Sequence, residues 1–164
     1  MIRRILPFLL IAAFFLLDSA VVPILTSAWF VPIFGMVLIH CLGLLLGRAR
    51  GLLYGMIMGL LMDITVGTPL GLMTLIDALL GYAGGWFGRM MWRTKLAPVI
   101  SGAVCFTLYE LVMDVYVIFM GTQYDSGLFL RSLLRVPIYV ALVYGGQYLL
   151  NRLLKPNRSR FAPR

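Results

Sequence analysis

The chain has 164 residues, 62% of them hydrophobic and only 12% charged, with 14 Lys and Arg against 6 Asp and Glu. This balance is far from that of a soluble globular domain and excludes water as the main solvent. The basic excess does not form a nucleic-acid surface: the cations fall in small groups between long apolar runs, with no aromatic-interleaved stripe.

A helix needs about 20 apolar residues to cross about 30 Å of hydrocarbon. Six spans therefore use most of the chain and leave no room for a separate soluble domain. The expected fold is all-α: a polytopic membrane protein with six transmembrane helices in one compact bundle over residues 1–154, then a basic cytoplasmic tail at 155–164. The apolar segments fall at 5–22, 30–46, 51–66, 70–88, 96–120 and 136–154.

The start, Met-Ile-Arg-Arg before an apolar run and Asp18-Ser19-Ala20, is shared by signal peptides and signal anchors. With five further apolar segments to follow, an uncleaved first span is expected. Pro23 and Pro32 flank the first loop, and Gly47 and Gly51 bracket the second. Along the third segment Gly51, Gly55 and Gly59 repeat every four residues, as do Gly81 with Gly85 and Gly84 with Gly88 along the fourth. Residues so spaced share a helix face, and in lipid small residues supply packing through close backbone approach. These glycines define either a tight pair of neighbouring helices or a partner interface. The third segment is short, about 24 Å at 1.5 Å per residue, so a re-entrant hairpin of the third and fourth segments stands beside the preferred two spans. Thr68-Pro69-Leu70-Gly71 forms the turn between them. Before the last segment, residues 123–135 mix Leu and Phe with Arg131 and Arg135, as an amphipathic surface turn or as the start of the last span.

Charge orients these segments. Arg3 and Arg4, Arg48 and Arg50, Arg89 with Arg93 and Lys95, and Arg152 with the tail cations occupy alternate connections. Retaining Lys and Arg inside puts 12 of the 14 cations and both termini on the cytoplasmic side, leaving Arg131 and Arg135 outside.

Five of the six acids, Asp18, Asp63, Asp77, Glu110 and Asp114, lie within apolar segments. A mid-membrane Asp costs about 2.5–3.5 kcal/mol on insertion scales, so such residues face a protein interior or a wet cavity. From the helical rise, Asp18 and Asp63 lie about 5 Å from the outer ends of their segments and Asp77 roughly 10 Å in. Together with Arg131 and Arg135 they define a candidate polar interior or outward-opening pocket. Glu110 and Asp114 share a helix face, where two ionised carboxylates repel unless one is protonated or bridged to Arg135.

Catalytic and metal signatures are missing from the sequence: there is no GxSxG, HExxH or GxxxxGK[ST] run, and Cys41 and Cys105 lack metal-ligand spacing. His40, the one histidine, reads as a hydrogen-bonded core residue. No enzyme activity and no cofactor are expected.

The stretch GLLYGMIMGLLMDITVGTPLGLMTLIDALLGYAGGWFG at 51–88 resembles the central signature of MreD, the bacterial rod shape-determining membrane protein family. The likeness rests on Gly59-Leu60-Leu61-Met62-Asp63, Pro69-Leu70-Gly71 and Gly81-Tyr82; over the rest of the chain it is one of hydropathy, size and basic cytoplasmic ends. The resemblance implies a non-enzymatic scaffold of the cell-wall elongation machinery in the bacterial cytoplasmic membrane. It implies binding to an MreC-like protein, within a larger complex with MreB, RodA and a class B penicillin-binding protein, and leaves room for a homo-oligomer. It also implies a fold similar to the S components of energy-coupling-factor transporters. That likeness keeps open a second reading, a small-solute-binding transporter component with an outward acidic pocket, because fold is not function.

Overall fold

The computed structural model describes residues 2–21, 34–66, 71–91, 94, 96–119 and 126–154. Their regular structure is entirely helical: α1 (Ile2–Leu16) running into a π-helical turn (Leu17–Val21), α2 (Phe34–Leu46), α3 (Arg48–Val66), α4 (Leu72–Met90), α5 (Ala97–Phe119) and α6 (Ser126–Leu154). Pro23, Pro32, Pro69, Arg93, Lys95 and the tail 155–164 lie outside the described residues.

Glycine backbones set two of the boundaries. Gly47 has φ 95° and Gly71 φ 102°, left-handed conformations in which a Cβ is strained. At Gly47 the chain leaves α2 and enters α3 without an intervening loop, through Gly47 N–H to Gly43 O and Gly51 N–H to Gly47 O, both 2.9 Å. The last helix starts at Ser126, ten residues before the segment expected at 136–154. Arg131 and Arg135 interrupt the apolar run without ending the helix, and Pro137 lies inside it. The stretch 126–135 is therefore the beginning of α6.

α2 is the axis of the molecule. Every residue from Gly35 to Leu45 is buried, and the helix touches α1, α3, α4, α5 and α6. The most extensive pairing is α3 with α4, followed by α2 with α4; α5 and α6 form a second pair that meets α2 mainly through α6. At the centre Phe106 stacks on Tyr139 at 4.9 Å, and His40 meets Phe106 edge-on at 5.9 Å.

The polarity of the bundle is inverted relative to a water-soluble one. Leu52, Met56, Leu60 and Ile64 on α3, Leu75, Leu79 and Trp86 on α4, and Leu108, Leu111 and Val115 on α5 are exposed, whereas Asp18, His40, Asp63, Asp77, Ser101 and Glu110 are buried. Apolar rows facing outward over this many helices suit lipid as solvent. Among the described helices Ala97–Tyr116 is long and apolar enough to cross a membrane, and Ile5–Ala20 and Phe34–Leu46 are shorter apolar helices. α3 and α4, of 19 residues each, are about 28 Å long at 1.5 Å per residue.

Candidate functional site

The buried acids begin at the helix ends. α4 starts at Gly71, which has no side chain with which to cap the helix. Its first amide groups, like those of any helix, lack intrahelical acceptors. Asp63, one turn from the end of α3, supplies them: its Oδ1 accepts from Met73 N–H at 3.0 Å, and its Oδ2 accepts from Gly71 N–H and Thr74 N–H at 3.0 Å each and from the Thr74 hydroxyl at 2.6 Å. The negative charge also sits at the positive end of the α4 dipole. This gives a physical reason for an Asp before the turn and a Gly and Thr after it.

Asp18 repeats the device on the preceding hairpin. Held in the π turn after α1, its Oδ2 accepts from Gly35 N–H at 2.7 Å, in the first turn of α2. A Cβ on Gly35 would meet that same carboxylate and the Met58 methyl, the ends of two side chains that would have to shift to admit it. The other oxygen, Oδ1, is buried without a hydrogen-bond partner among the described residues.

Asp77, in the second turn of α4, is 1% exposed. Its Oδ1 is likewise buried and unpartnered among the described residues, and Asp18 and Asp63 lie within electrostatic range. Farther along, Arg135 of α6 brings Nη1 to 3.9 Å from Glu110 Oε2 of α5. Tyr109 and Tyr139 lie within electrostatic range of that pair. Asp114, one turn beyond Glu110, is half-buried. Arg131 belongs to α6, and its side chain lies outside the described residues.

His40 ties three helices together. Its Nδ1 lies 3.3 Å from Leu80 O on α4 and its Nε2 3.0 Å from Ser101 Oγ on α5. A carbonyl only accepts, so Nδ1 carries the proton and Nε2 accepts from the Ser101 hydroxyl. A Ser–His contact can activate a nucleophile, but both residues are 0% exposed and the far nitrogen meets a carbonyl instead of a carboxylate. The arrangement is a polar clasp. Ser101 was not singled out from sequence, since one Ser in an apolar helix carries no distinguishing signal. Among the described residues no three His, Cys, Asp or Glu side chains group as metal ligands, and Cys41 and Cys105 are free, buried thiols.

The glycines bring these elements close enough for such contacts. A Cβ on Gly51 would strike Gly81 O, on Gly55 the backbone of Asp77 and Ala78, and on Gly59 that of Met73 and Thr74. On α4, Gly84 and Gly88 lie against His40 O and Leu44 O of α2, and Gly85 against Gly47 and Arg48.

Fold and site together define an all-helical protein with a lipid-suited exterior, whose buried polar groups cap and clasp its helices. A family model described as rod shape-determining protein MreD matches residues 2–150. The chain belongs to the MreD family, a bacterial membrane family of structural, shape-determining proteins, and takes its role in determining rod shape from that membership. No curated protein and no solved structure matches the chain.

Proposed function

We propose that this protein is a six-span, non-enzymatic scaffold of the bacterial cell-wall elongation machinery, with both termini cytoplasmic, that binds an MreC-like protein and acts with MreB, RodA and a class B penicillin-binding protein. The observation that carries this reading is the family match over residues 2–150. The packing supports it. The glycine faces of α3 and α4 close on each other and on α2, so these backbone contacts are internal, and exposed apolar rows such as Leu52, Met56 and Leu60 remain for helix–helix association with a bitopic partner.

The buried Asp18 and Asp77 are the observation on which solute capture for transport would rest. Co-purification in detergent separates the two readings. The scaffold reading expects a stable complex with the MreC-like protein and loss of rod shape on depletion. Recovery of the protein without that partner, but with a tightly held small solute, would overturn it.

A further inference from the structure

We propose that Asp18 and Asp77 together hold one hard, oxygen-preferring inorganic cation between the π turn that follows α1 and the second turn of α4. The case starts from how unevenly the three neighbouring carboxylates are satisfied. Asp63 accepts four hydrogen bonds. Asp18 uses one oxygen on Gly35 N–H at 2.7 Å, and the Phe34 amide also acts on its carboxylate. Asp18 Oδ1 and Asp77 Oδ1 are both buried without a hydrogen-bond partner among the described residues, on side chains that are only 8% and 1% exposed.

Among the described residues, the charged groups that act on Asp77 are acids, Asp18 and Asp63. Among the described cations, Arg135 faces Glu110 at 3.9 Å. Arg48 packs by its backbone against Gly85, which lies eight residues or about 12 Å along α4 from Asp77 at 1.5 Å per residue, and its charge is not among those that act on Asp77. A buried carboxylate without a partner is strongly disfavoured, and two within electrostatic range of each other also repel. One cation between them satisfies both unpartnered oxygens and removes the repulsion.

The ligand set selects the class of ion. Carboxylate oxygens suit alkali and alkaline-earth cations, whereas zinc and copper prefer imidazole and thiolate. His40 is occupied by Leu80 and Ser101, and the Cys41 thiol is directed at Val143 O. Two carboxylates leave part of the coordination sphere to backbone carbonyls and water, as in a modest-affinity site that exchanges its ion.

The test uses full-length protein in detergent, stripped with chelator and equilibrated in N-methylglucamine chloride. Thermal unfolding is then followed while sodium, potassium, magnesium or calcium chloride replaces that salt at constant ionic strength. The wild type is expected to show a saturable rise in Tm with one of these cations, which also identifies monovalent or divalent binding, and Asp77→Asn and Asp18→Asn are each expected to abolish the rise. Indifference of the wild type to all four salts, or an unchanged response in Asp77→Asn, overturns the proposal. Should either variant fail to fold, the wild-type titration still decides. None of these outcomes depends on recovery of an MreC-like partner, so this site and the scaffold reading stand or fall separately.

Discussion

At Asp63 four donors converge on the two carboxylate oxygens at 2.6–3.0 Å. A hydrogen bond to a charged group is worth about 1.5–3 kcal/mol, and loss of a helix cap alone costs about 0.5–2 kcal/mol. Because these four bonds share one carboxylate they do not add, and Asp63→Ala is expected to lower stability by about 3 kcal/mol. Asp63→Asn keeps one acceptor but turns an NH2 group toward backbone donors, so a loss of about 2 kcal/mol is expected. Denaturant unfolding in detergent measures both, and an Asp63→Ala protein within about 0.5 kcal/mol of wild type would show that the cap is dispensable. The His40 clasp follows a different rule. Ser101→Ala leaves a buried ring nitrogen without its donor, at a cost of about 1–3 kcal/mol, whereas removing both polar partners together can be nearly neutral. His40→Leu combined with Ser101→Ala should therefore be less destabilised than the sum of the single changes. A strictly additive cycle would argue against the bond between Nε2 and Oγ.

At the scale of helices, packing turns on where a methyl group can be added. Gly55 lies against the Asp77 and Ala78 backbone, while a Cβ on Gly145 meets nothing within 4 Å. Ala is intrinsically better than Gly in a helix by about 1 kcal/mol, so Gly145→Ala should be neutral or stabilising. Gly55→Ala should instead cost about 2 kcal/mol or more, because backbone cannot yield as a flexible side chain does. Membrane-fraction abundance and thermal unfolding compare the pair, and equal behaviour would mean that α3 and α4 are not in close contact. The four-residue spacing of Gly51, Gly55 and Gly59 was legible in the sequence because helix periodicity is local. The occupant of the groove beside Gly84, the His40 carbonyl of α2, was not, since nothing local links positions forty-four residues apart. The same reasoning covers the acids. Their misfit in apolar runs marked Asp18 and Asp63 as exceptional, but their partners, Gly35 and residues 71–74, depend on how hairpins fold back. The start of α6 at Ser126 was one of two readings left open for residues 123–135, because a helix needs hydrogen bonds along its whole length, but an apolar run only where lipid or core touches it.

For the molecule as a whole, an apolar exterior and a carboxylate-bearing interior fix its solvent but leave its orientation to charge. Arg50 and Arg89 are exposed at the end of the bundle where α2 passes into α3 and α4 finishes. At the opposite end of those helices α3 finishes at Val66 and α4 begins at Leu72, with Thr68 between them in sequence. If cations are retained inside and α3 and α4 both cross, the two ends lie on opposite sides of the bilayer. Cysteine introduced at Thr68 should then react with an impermeant maleimide added to intact spheroplasts. Cysteine at Arg50 or Arg89 should react only after permeabilisation. The wild type serves as its own blank, because Cys41 and Cys105 are buried. A re-entrant hairpin would leave all three positions reactive only after permeabilisation, and an inverted protein would exchange the two patterns. The experiment therefore tests the span count and the orientation separately. It also bears on the acids: Asp18 and Asp63 sit at the ends of α1 and α3 that lead into these connections, so labelling at position 68 would place both helix caps toward the outer face.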